Sequence, residues 1–271
     1  IYNYGEAGQN HYNAFYTDNR FEYSKQSGKS KLFAVGGMRL HTNEFEFDLG
    51  TGRNMHPSNQ IKGIQNGVIS LNSISGDFGN WNWLSTYLNV NYSINDKYLF
   101  NASASVDGSS RTGLHSNYDF DFFGMPSGLF YSGQAGWRIS DETFLKNANW
   151  LNDLKLRASI CKMGNDDIGN YAARSYYVTQ AYRSTIGLVS DIVPNTKLKY
   201  EELTEFAGGI DLSAFGQRLQ LSADIYSINT DDLLLFEQLP VWYGVDFMPR
   251  NDGTMKTNGW DINVQTRIFD S

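Results

Sequence analysis

Within residues 81–111, hydrophobic and polar residues alternate in two runs, 84–94 and 98–106. Every second position falls on one face, which carries Leu84, Thr86, Leu88, Val90, Tyr92 and Ile94. Because side chains in a strand repeat every two residues, this pattern predicts one apolar and one polar face. Asn95-Asp96-Lys97 forms a tight turn, and the alternation resumes from Tyr98 to Val106. The stretch therefore predicts a β-hairpin with arms of about ten residues, the length that crosses a bilayer.

The same period recurs along the chain and predicts about nine strands. They cover residues 11–25, 31–49, 81–94, 98–106, 129–139, 153–163, 203–213, 218–230 and 258–269. In the connection that follows residue 139, Ser140-Asp141-Glu142 predicts a short helical turn. Along the whole chain, short connections alternate with long polar ones. This segregation is typical of bacterial outer-membrane barrels, which have short periplasmic turns and long outer loops. A soluble β-sandwich has no reason to segregate its connections in this way.

The predicted fold is all-β, a segment of an antiparallel transmembrane β-barrel. Its polar face carries mid-strand charges at Arg157, Asp211, Asp224, Asp261 and Arg267. Buried unpaired in a sandwich these charges would cost several kcal/mol, whereas a barrel lumen hydrates them. Bacterial single-chain barrels have even strand numbers, and an open edge in lipid leaves backbone groups without partners. We therefore expect residues 1–271 to form one partial barrel, with its closing strands elsewhere.

Composition agrees with a membrane barrel and excludes several other classes. Aromatic residues make up 15% of the chain, but the longest aliphatic run, residues 233–236, is far shorter than the roughly 20 residues of a transmembrane helix. The net charge of -7, with lysines and arginines scattered singly, gives no basic stripe for nucleic acid. The single cysteine, Cys161, allows no internal disulfide. The chain begins without a signal-peptide pattern, although an exported barrel requires one.

Several motifs resemble those of the SusC/RagA-type TonB-dependent transporters, from Tyr98 to the end of the chain. In chain order they are Asp107-Gly108-Ser109-Ser110-Arg111, Met125-Pro126-Ser127, Gly136-Trp137-Arg138-Ile139-Ser140-Asp141-Glu142, Leu154-Lys155-Leu156-Arg157-Ala158-Ser159, Gly164-Asn165, Leu198-Lys199-Tyr200-Glu201, Gly209-Ile210-Asp211-Leu212, Asp224-Ile225-Tyr226, Thr230-Asp231-Asp232-Leu233-Leu234 and Asn258-Gly259-Trp260-Asp261. The sequence departs from the family at Ser159-Ile160-Cys161, where Ser-Tyr-Gly is usual, and at Tyr200, where Trp is usual.

The resemblance implies a barrel of roughly 22 strands with a plugged lumen, of which this chain is a later-middle part. It also implies an outer-membrane importer of large nutrients, oligosaccharides or peptides, in a Gram-negative bacterium. The expected partners are the TonB complex, engaged through a plug segment that this sequence lacks, a SusD-like surface lipoprotein, the remaining strands of the barrel, and the lipid bilayer. No cofactor is expected.

Candidate ligand residues lie in the predicted outer loops. Arg111 could bind an anionic or hydroxylated ligand, although bracing of the barrel wall is the favoured interpretation. Aromatic rings in long loops stack on sugars or contact partners, yet loop packing explains them equally well. The aromatic candidates for ligand binding are Tyr118, Tyr182, Trp242 and Tyr243, with Phe120 and Phe122 nearby. Trp137, Trp150, Tyr92 and Tyr98 are better explained as a membrane-interface girdle than as sugar contacts.

Catalysis and metal binding have weaker support in the sequence. Asp166-Asp167 and Asp231-Asp232 could bind calcium, but neither has EF-hand spacing, and no metal site is predicted. The four histidines are scattered, and no hydrolase motif is present. We expect a non-enzymatic import barrel. The alternatives are a surface adhesin or glycan-binding barrel without transport, and an outer-membrane hydrolase, which would require a serine, a histidine and a carboxylate to converge in space.

Overall fold

The fold is an antiparallel β-sheet whose strands follow one another mostly in chain order. The computed structural model describes residues 3–54, 63–118, 120–183 and 185–268, apart from the side chains of residues 66, 69, 181 and 182. The nine long strands are β1 (Tyr4–Ser27), β2 (Ser30–Arg53), β3 (Ser73–Ile94), β4 (Tyr98–Ser109), β6 (Met125–Arg138), β7 (Leu151–Asn165), β10 (Glu201–Ala214), β11 (Leu219–Asp231) and β14 (Thr254–Thr266). They form one sheet in the order β1-β2-β3-β4-β6-β7-β10-β11-β14, which confirms the predicted strands and their connectivity.

The remaining elements lie in the connections. The short strands are β5 (Phe120–Phe122), β8 (Tyr177–Tyr182), β9 (Thr185–Ser190), β12 (Leu234–Gln238) and β13 (Phe247–Asn251). The 3-10 turns are η1 (Ile64–Asn66), η2 (Ile69–Leu71), η3 (Ile139–Asp141), η4 (Thr143–Leu145) and η5 (Val241–Tyr243). β5 pairs with β6, whereas β8-β9 and β12-β13 are separate hairpins. Among the described residues, no helix is long and apolar enough to cross a bilayer.

The first three strands extend well beyond their predicted ends. β1 begins at Tyr4, β2 ends at Arg53 and β3 begins at Ser73, so the connection after β2 shrinks to residues 54–72. The first residues of β3, Ser-Ile-Ser-Gly-Asp-Phe-Gly-Asn, are mostly small or polar and give no period-two signal. Backbone ladder hydrogen bonds do not require an apolar face, so strand structure continues where the hydrophobic pattern ends.

The chain divides into two compact units. The first comprises Ile1–Thr17 and Leu40–Trp83, and the second comprises Asp18–Arg39 and Leu84–Ser271. Within the first unit, the His41 ring packs edge-on against Trp81 at 4.9 Å between centroids, and the Thr51 and Ser73 hydroxyls are hydrogen-bonded at 2.6 Å. The second unit contains the motifs and all five candidate residues.

The two faces of the sheet differ as the alternation predicts. The apolar face is exposed: Leu88 is 52%, Ile225 68% and Trp260 70% accessible, although Leu84 on the same predicted face is buried. On the polar face, side chains are joined in ladders, such as Asn101 donating to Asn91 at 2.8 Å. A sheet with this much exposed apolar surface needs an apolar environment on that side.

Candidate functional site

Three of the sequence motifs meet at one end of the strands, where β4 and β7 end and β10 begins. Asp107-Gly108-Ser109 ends β4, Gly164-Asn165 ends β7, and Leu198-Lys199-Tyr200 leads into β10. Since β7 and β10 are neighbouring antiparallel strands, the end of one lies beside the start of the other, with Asn165 opposite Glu201. The long connections of the second unit begin from this end of the strands, so the motifs determine how these connections leave the sheet.

Arg111 lies in a polar network below the loops. The Ser109 hydroxyl donates to Asp166 Oδ2 at 2.5 Å and accepts from the Arg111 backbone N–H at 3.2 Å. Arg111 Nε donates to Asn170 Oδ1 at 2.9 Å, and one of its terminal nitrogens is 3.8 Å from Asp167 Oδ1. The Arg111 side chain is 17% exposed, and its hydrogen-bond and ion-pair partners lie within the loop. This geometry fits bracing of the wall, and ligand contact by Arg111 stays a prediction.

Tyr118 packs into the same region. Its hydroxyl accepts a hydrogen bond from the backbone N–H of Tyr200 at 2.6 Å, and the two rings lie 5.9 Å apart. Tyr200 also packs edge-on against Phe130 at 5.2 Å. A Cβ at Gly164 would stand 2.2 Å from the Phe130 ring, so only glycine leaves room for it. Burial raises the pKa of both the Tyr118 and Tyr200 hydroxyls.

A small apolar core and a set of hydrogen bonds made by the Asn251 side-chain amide fix the loops above this network. Ala172, Ala173 and Leu198 are buried together, with Ile168 and Leu234 packed against them. The Asn251 side chain accepts from the Lys199 N–H at 2.9 Å and donates to the carbonyls of Lys199 and Asp232 at 2.9 Å each. Lys199 also forms an ion pair with Asp232. These contacts make the bases of two outer loops a fixed platform.

Trp242 and Tyr243 lie at the tip of the β12-β13 hairpin, in η5. Trp242 is 83% and Tyr243 60% exposed, and their ring centroids are 6.5 Å apart with an interplanar angle of 31°. Gly244, with φ of 73°, supplies the left-handed turn that ends η5. The structure thus presents two neighbouring exposed rings, tilted by 31° to each other, to the surroundings. The backbone of Tyr182 lies in β8, whereas its side chain lies outside the described residues.

The polar face of the sheet carries an ion-pair network across three strands. Arg157 Nε is 2.8 Å from Asp211 Oδ2, and an Arg157 terminal nitrogen is 2.9 Å from Asp224 Oδ1. Lys155 is 3.1 Å from Asp211. In the ladder Arg157 faces Gly209, which faces Asp224. The Arg157–Asp224 pair therefore reaches over Gly209, where a Cβ would stand 2.1 Å from the Asp224 carboxylate.

This network borders a concavity of about 570 Å³ on the polar face. Its lining includes Phe33, Asn91, Asn101, Gln134, Arg157 and Asp224. The amides and charges are half-exposed, so they could meet water, a ligand or another segment of protein. The arrangement fits the wall of a hydrated lumen.

The opposite edge carries a carboxylate held by three donors. Glu142 accepts hydrogen bonds from Lys97 Nζ at 3.0 Å, the Tyr98 hydroxyl at 2.8 Å and the Trp137 indole N–H at 3.0 Å. These bonds, led by that from Lys97, lower the pKa of Glu142. η3 and η4 confirm the predicted helical turn here. Tyr98 and Trp137, predicted as girdle residues, also anchor this turn.

The paired aspartates have partners within the protein. Asp166 accepts from Ser109, Asp167 lies near Arg111, and Asp232 pairs with Lys199. In the described part of the chain, no group of three or more His, Cys, Asp or Glu is arranged to hold a metal ion. His41 packs between Tyr16 and Trp81, and His56 lies outside the described residues.

Sequence reasoning did not single out Asp166, Tyr200 or Gly209 as organising residues. Each lies in or beside a recognised motif, so motif membership was a signal for all three. The motifs could not predict the hydrogen-bond partners of these residues. Ser109 and Asp166, for example, are 57 positions apart and meet only in the folded sheet.

Comparison with known proteins identifies the family. The family described as TonB dependent receptor-like, beta-barrel, matches residues 1–270. The chain belongs to the TonB-dependent receptors. The TonB-dependent receptor P39 of Formosa agariphila is 31% identical over 268 residues, which cover 96% of this chain and 25% of that protein. The TonB-dependent receptor SusC of Bacteroides thetaiotaomicron is 28% identical over 278 residues, which cover 97% of this chain and 26% of that protein.

A solved structure has the same fold. The RagAB peptide transporter matches with a TM-score of 0.82 and 25% identity, over 97% of this chain and 28% of that chain. The SusC/RagA-type resemblance and the antiparallel all-β architecture of a barrel segment are therefore confirmed. The chain spans about a quarter of the length of the curated relatives it matches.

Proposed function

We propose that this TonB-dependent receptor chain is part of an outer-membrane importer of a large nutrient, of the oligosaccharide or peptide class, in a Gram-negative bacterium. The long outer loops capture the ligand, and the barrel lumen forms its path. The observation that carries this proposal is the two-faced sheet. One face is apolar and exposed, whereas the other bears the Arg157–Asp211–Asp224 network and a polar concavity.

The proposed partners follow from the same features. β1 and β14 are the terminal strands of the described sheet, so further strands of the same barrel can pair with them. The exposed apolar face fits a lipid bilayer. The family name supports energy input from the TonB complex, engaged through a plug segment. Likeness to SusC and to RagAB supports a SusD-like surface lipoprotein as the partner at the outer loops. No nucleic acid, cofactor or catalytic step belongs to this proposal.

Trp242 and Tyr243 are the residues that we assign first to ligand capture. Their exposed, neighbouring rings can pack on the faces of sugar rings or on the side chains of a peptide. An aromatic contact contributes about 0.5–1.5 kcal/mol beyond its buried area, so loss of both should weaken binding about tenfold. Arg111, Tyr118 and Tyr182 remain secondary candidates.

The test is uptake of labelled oligosaccharides and peptides by cells that carry the full-length protein. We expect Trp242→Ala with Tyr243→Ala to raise the half-saturation concentration about tenfold. Phe144→Ala is the matched control, since Phe144 is an aromatic with 69% exposure near the opposite edge. An unchanged half-saturation concentration in the double variant would remove these rings from the ligand site. Surface binding without any TonB-dependent uptake would replace import by the adhesin alternative.

A further inference from the structure

The hairpin of β8 and β9 is a two-stranded sheet of its own. Its register runs from Tyr177 opposite Ser190 to Tyr182 opposite Thr185. In the described part of the chain, neither strand pairs with a third one. Each strand therefore has one paired edge and one edge whose backbone N–H and C=O groups lack a strand partner.

A hydrogen bond at the base of this hairpin shows which backbone groups point outward. The Asp191 N–H donates to the Tyr176 carbonyl at 3.4 Å, so these two residues form a hydrogen-bonded pair of the ladder. Bonded and non-bonded pairs alternate in an antiparallel ladder, so every second residue counted back from Asp191 bonds to β8. The residues between them, Ile186 and Leu188, therefore point their backbone groups away from β8.

Ile186 and Leu188 also present exposed apolar side chains. They are 73% and 72% exposed, and they lie on one face of the hairpin because they are two positions apart. An added antiparallel strand would place every second residue opposite them, in pairs that share backbone bonds and side-chain contacts. The outer edge of β9 therefore offers main-chain hydrogen bonds and apolar contacts at the same positions.

This edge lacks the features by which proteins protect open strand edges. Neither strand of the β8-β9 hairpin contains a proline or a charged residue. The β12-β13 hairpin contains both, namely Pro249 and the ion pair of Glu237 with Arg250. Charges and prolines on an edge strand prevent pairing with another chain, so their absence leaves β9 open to it.

The β9 edge belongs to the same loop region as the exposed aromatic pair. Val193, which follows β9, donates its N–H to the carbonyl of Phe247 at 3.3 Å. Phe247 is the first residue of β13, next to the turn that carries Trp242 and Tyr243. The chain after β9 is therefore bonded to the hairpin that we assign first to ligand capture.

We propose that the β9 edge binds an extended peptide as an added strand, and that peptides rather than oligosaccharides are the captured nutrient. This inference rests on the proposed function, which leaves the nutrient between those two classes. A peptide carries the regular backbone donors and acceptors that complete a ladder, whereas a sugar chain does not. A folded partner protein fits less well, because its own strand edges are paired or protected. Main-chain pairing also accepts varied side chains, which suits uptake of mixed peptides.

The first test compares two N-methylated peptides for binding to the purified full-length protein. The parent probe is a fluorescent hexapeptide that alternates valine and threonine, with its valines expected opposite Ile186 and Leu188. In that register the valine N–H groups bond to β9 and the threonine N–H groups point away. N-methylation of the valines should raise Kd about 25-fold, since two lost hydrogen bonds cost about fivefold each. N-methylation of the threonines is the matched control and should leave Kd unchanged.

Equal Kd values for the two N-methylated peptides would overturn the proposal, whether both bind or neither does. An edge that is already covered by another segment of the full-length protein, or by a partner protein, would give that result. This comparison uses the unmodified protein, so it does not depend on the folding of a variant.

The second test blocks one edge of the hairpin at a time. Leu188→Pro removes an N–H that points away from β8, so the hairpin keeps its own bonds while its outer edge loses a donor. Thr179→Pro is the matched control, because Thr179 lies opposite Leu188 and its N–H points to the other edge. Leu188→Pro should raise the Kd of the parent peptide about fivefold, and Thr179→Pro should not change it. Any other order of the two Kd values would overturn the assignment to β9.

Failure of the proposed function would give a different result. Edge-dependent peptide binding without TonB-dependent uptake would refute import while supporting the added strand. TonB-dependent uptake of peptides, with equal Kd values for the two N-methylated probes, would support import and overturn the added strand.

Discussion

Gly209 controls whether the charges on the polar face can pair. Arg157 on β7 and Asp224 on β11 are separated in the ladder by the β10 residue, and their ion pair passes over it. Any side chain at this position would stand between the two partners. A half-exposed pair in contact with water contributes about 0–1 kcal/mol, and the Asp224 carboxylate can rotate away from a new methyl group, so the expected effect of a substitution is the loss of this pair.

We predict that Gly209→Ala in the full-length protein displaces the Asp224 carboxylate, separates it from Arg157 and lowers stability by at most about 1 kcal/mol, the usual value of a half-exposed ion pair. The new methyl group would stand 2.1 Å from Asp224 Oδ1 and 3.0 Å from an Arg157 nitrogen. Gly208→Ala is the control, because the nearest atom to its Cβ is 3.8 Å away. The denaturant midpoint of the folded barrel reports both values. Equal midpoints for the two variants would show that the ion pair does not need an open path over Gly209.

At the scale of elements, the connection between β6 and β7 owes its fixed shape to Glu142. Its carboxylate gathers donors from Lys97, Tyr98 and Trp137, which ties residues 139–150 to two neighbouring strands. Hydrogen bonding to the charged form explains the lowered pKa of Glu142. A carboxyl whose pKa is lowered on folding stabilises the protein above its unfolded pKa, and that contribution is lost as pH falls.

We therefore predict that the melting temperature of the parent protein falls more steeply than that of Glu142→Gln below the ordinary glutamate pKa of about 4.3. Above that pH, the variant should be the less stable of the two. Asp141→Asn is the control, since Asp141 is in the same turn but lies 4.0 Å from Arg138. Parallel melting curves for parent and Glu142→Gln across the acid range would contradict the assigned role.

The hydrophobic pattern predicted the strands that present an apolar face. It did not predict strand residues that have no apolar face to present. β3 was predicted from Trp81 but begins at Ser73, because its first residues form ladder bonds without an alternating pattern. The β8-β9 and β12-β13 hairpins were missed, since they belong to no long two-faced sheet. Arg111 was found through its motif, whereas its partner Asn170 could be known only from the fold.

At the scale of the whole molecule, the nine long strands form one antiparallel sheet with the fold of a barrel segment. Short connections lie at one edge and long ones at the other, and the exposed aromatic tip belongs to the long-loop edge. Under the proposed function, the apolar face meets lipid and the network of Arg157, Asp211 and Asp224 faces the lumen. Import depends on this assignment of faces.

The most direct measurement compares arginine at two adjacent positions of β3 in the full-length protein. Leu88 is 52% exposed on the apolar face, whereas Asn89 accepts hydrogen bonds from Asn91 and Asn101 on the polar face. Leu88→Arg should block assembly, because arginine at mid-bilayer costs about 2–4 kcal/mol, while Asn89→Arg should be tolerated. Assembly is read from heat-modifiable mobility of the protein in the outer-membrane fraction. Equal tolerance of both substitutions would contradict the assignment of faces.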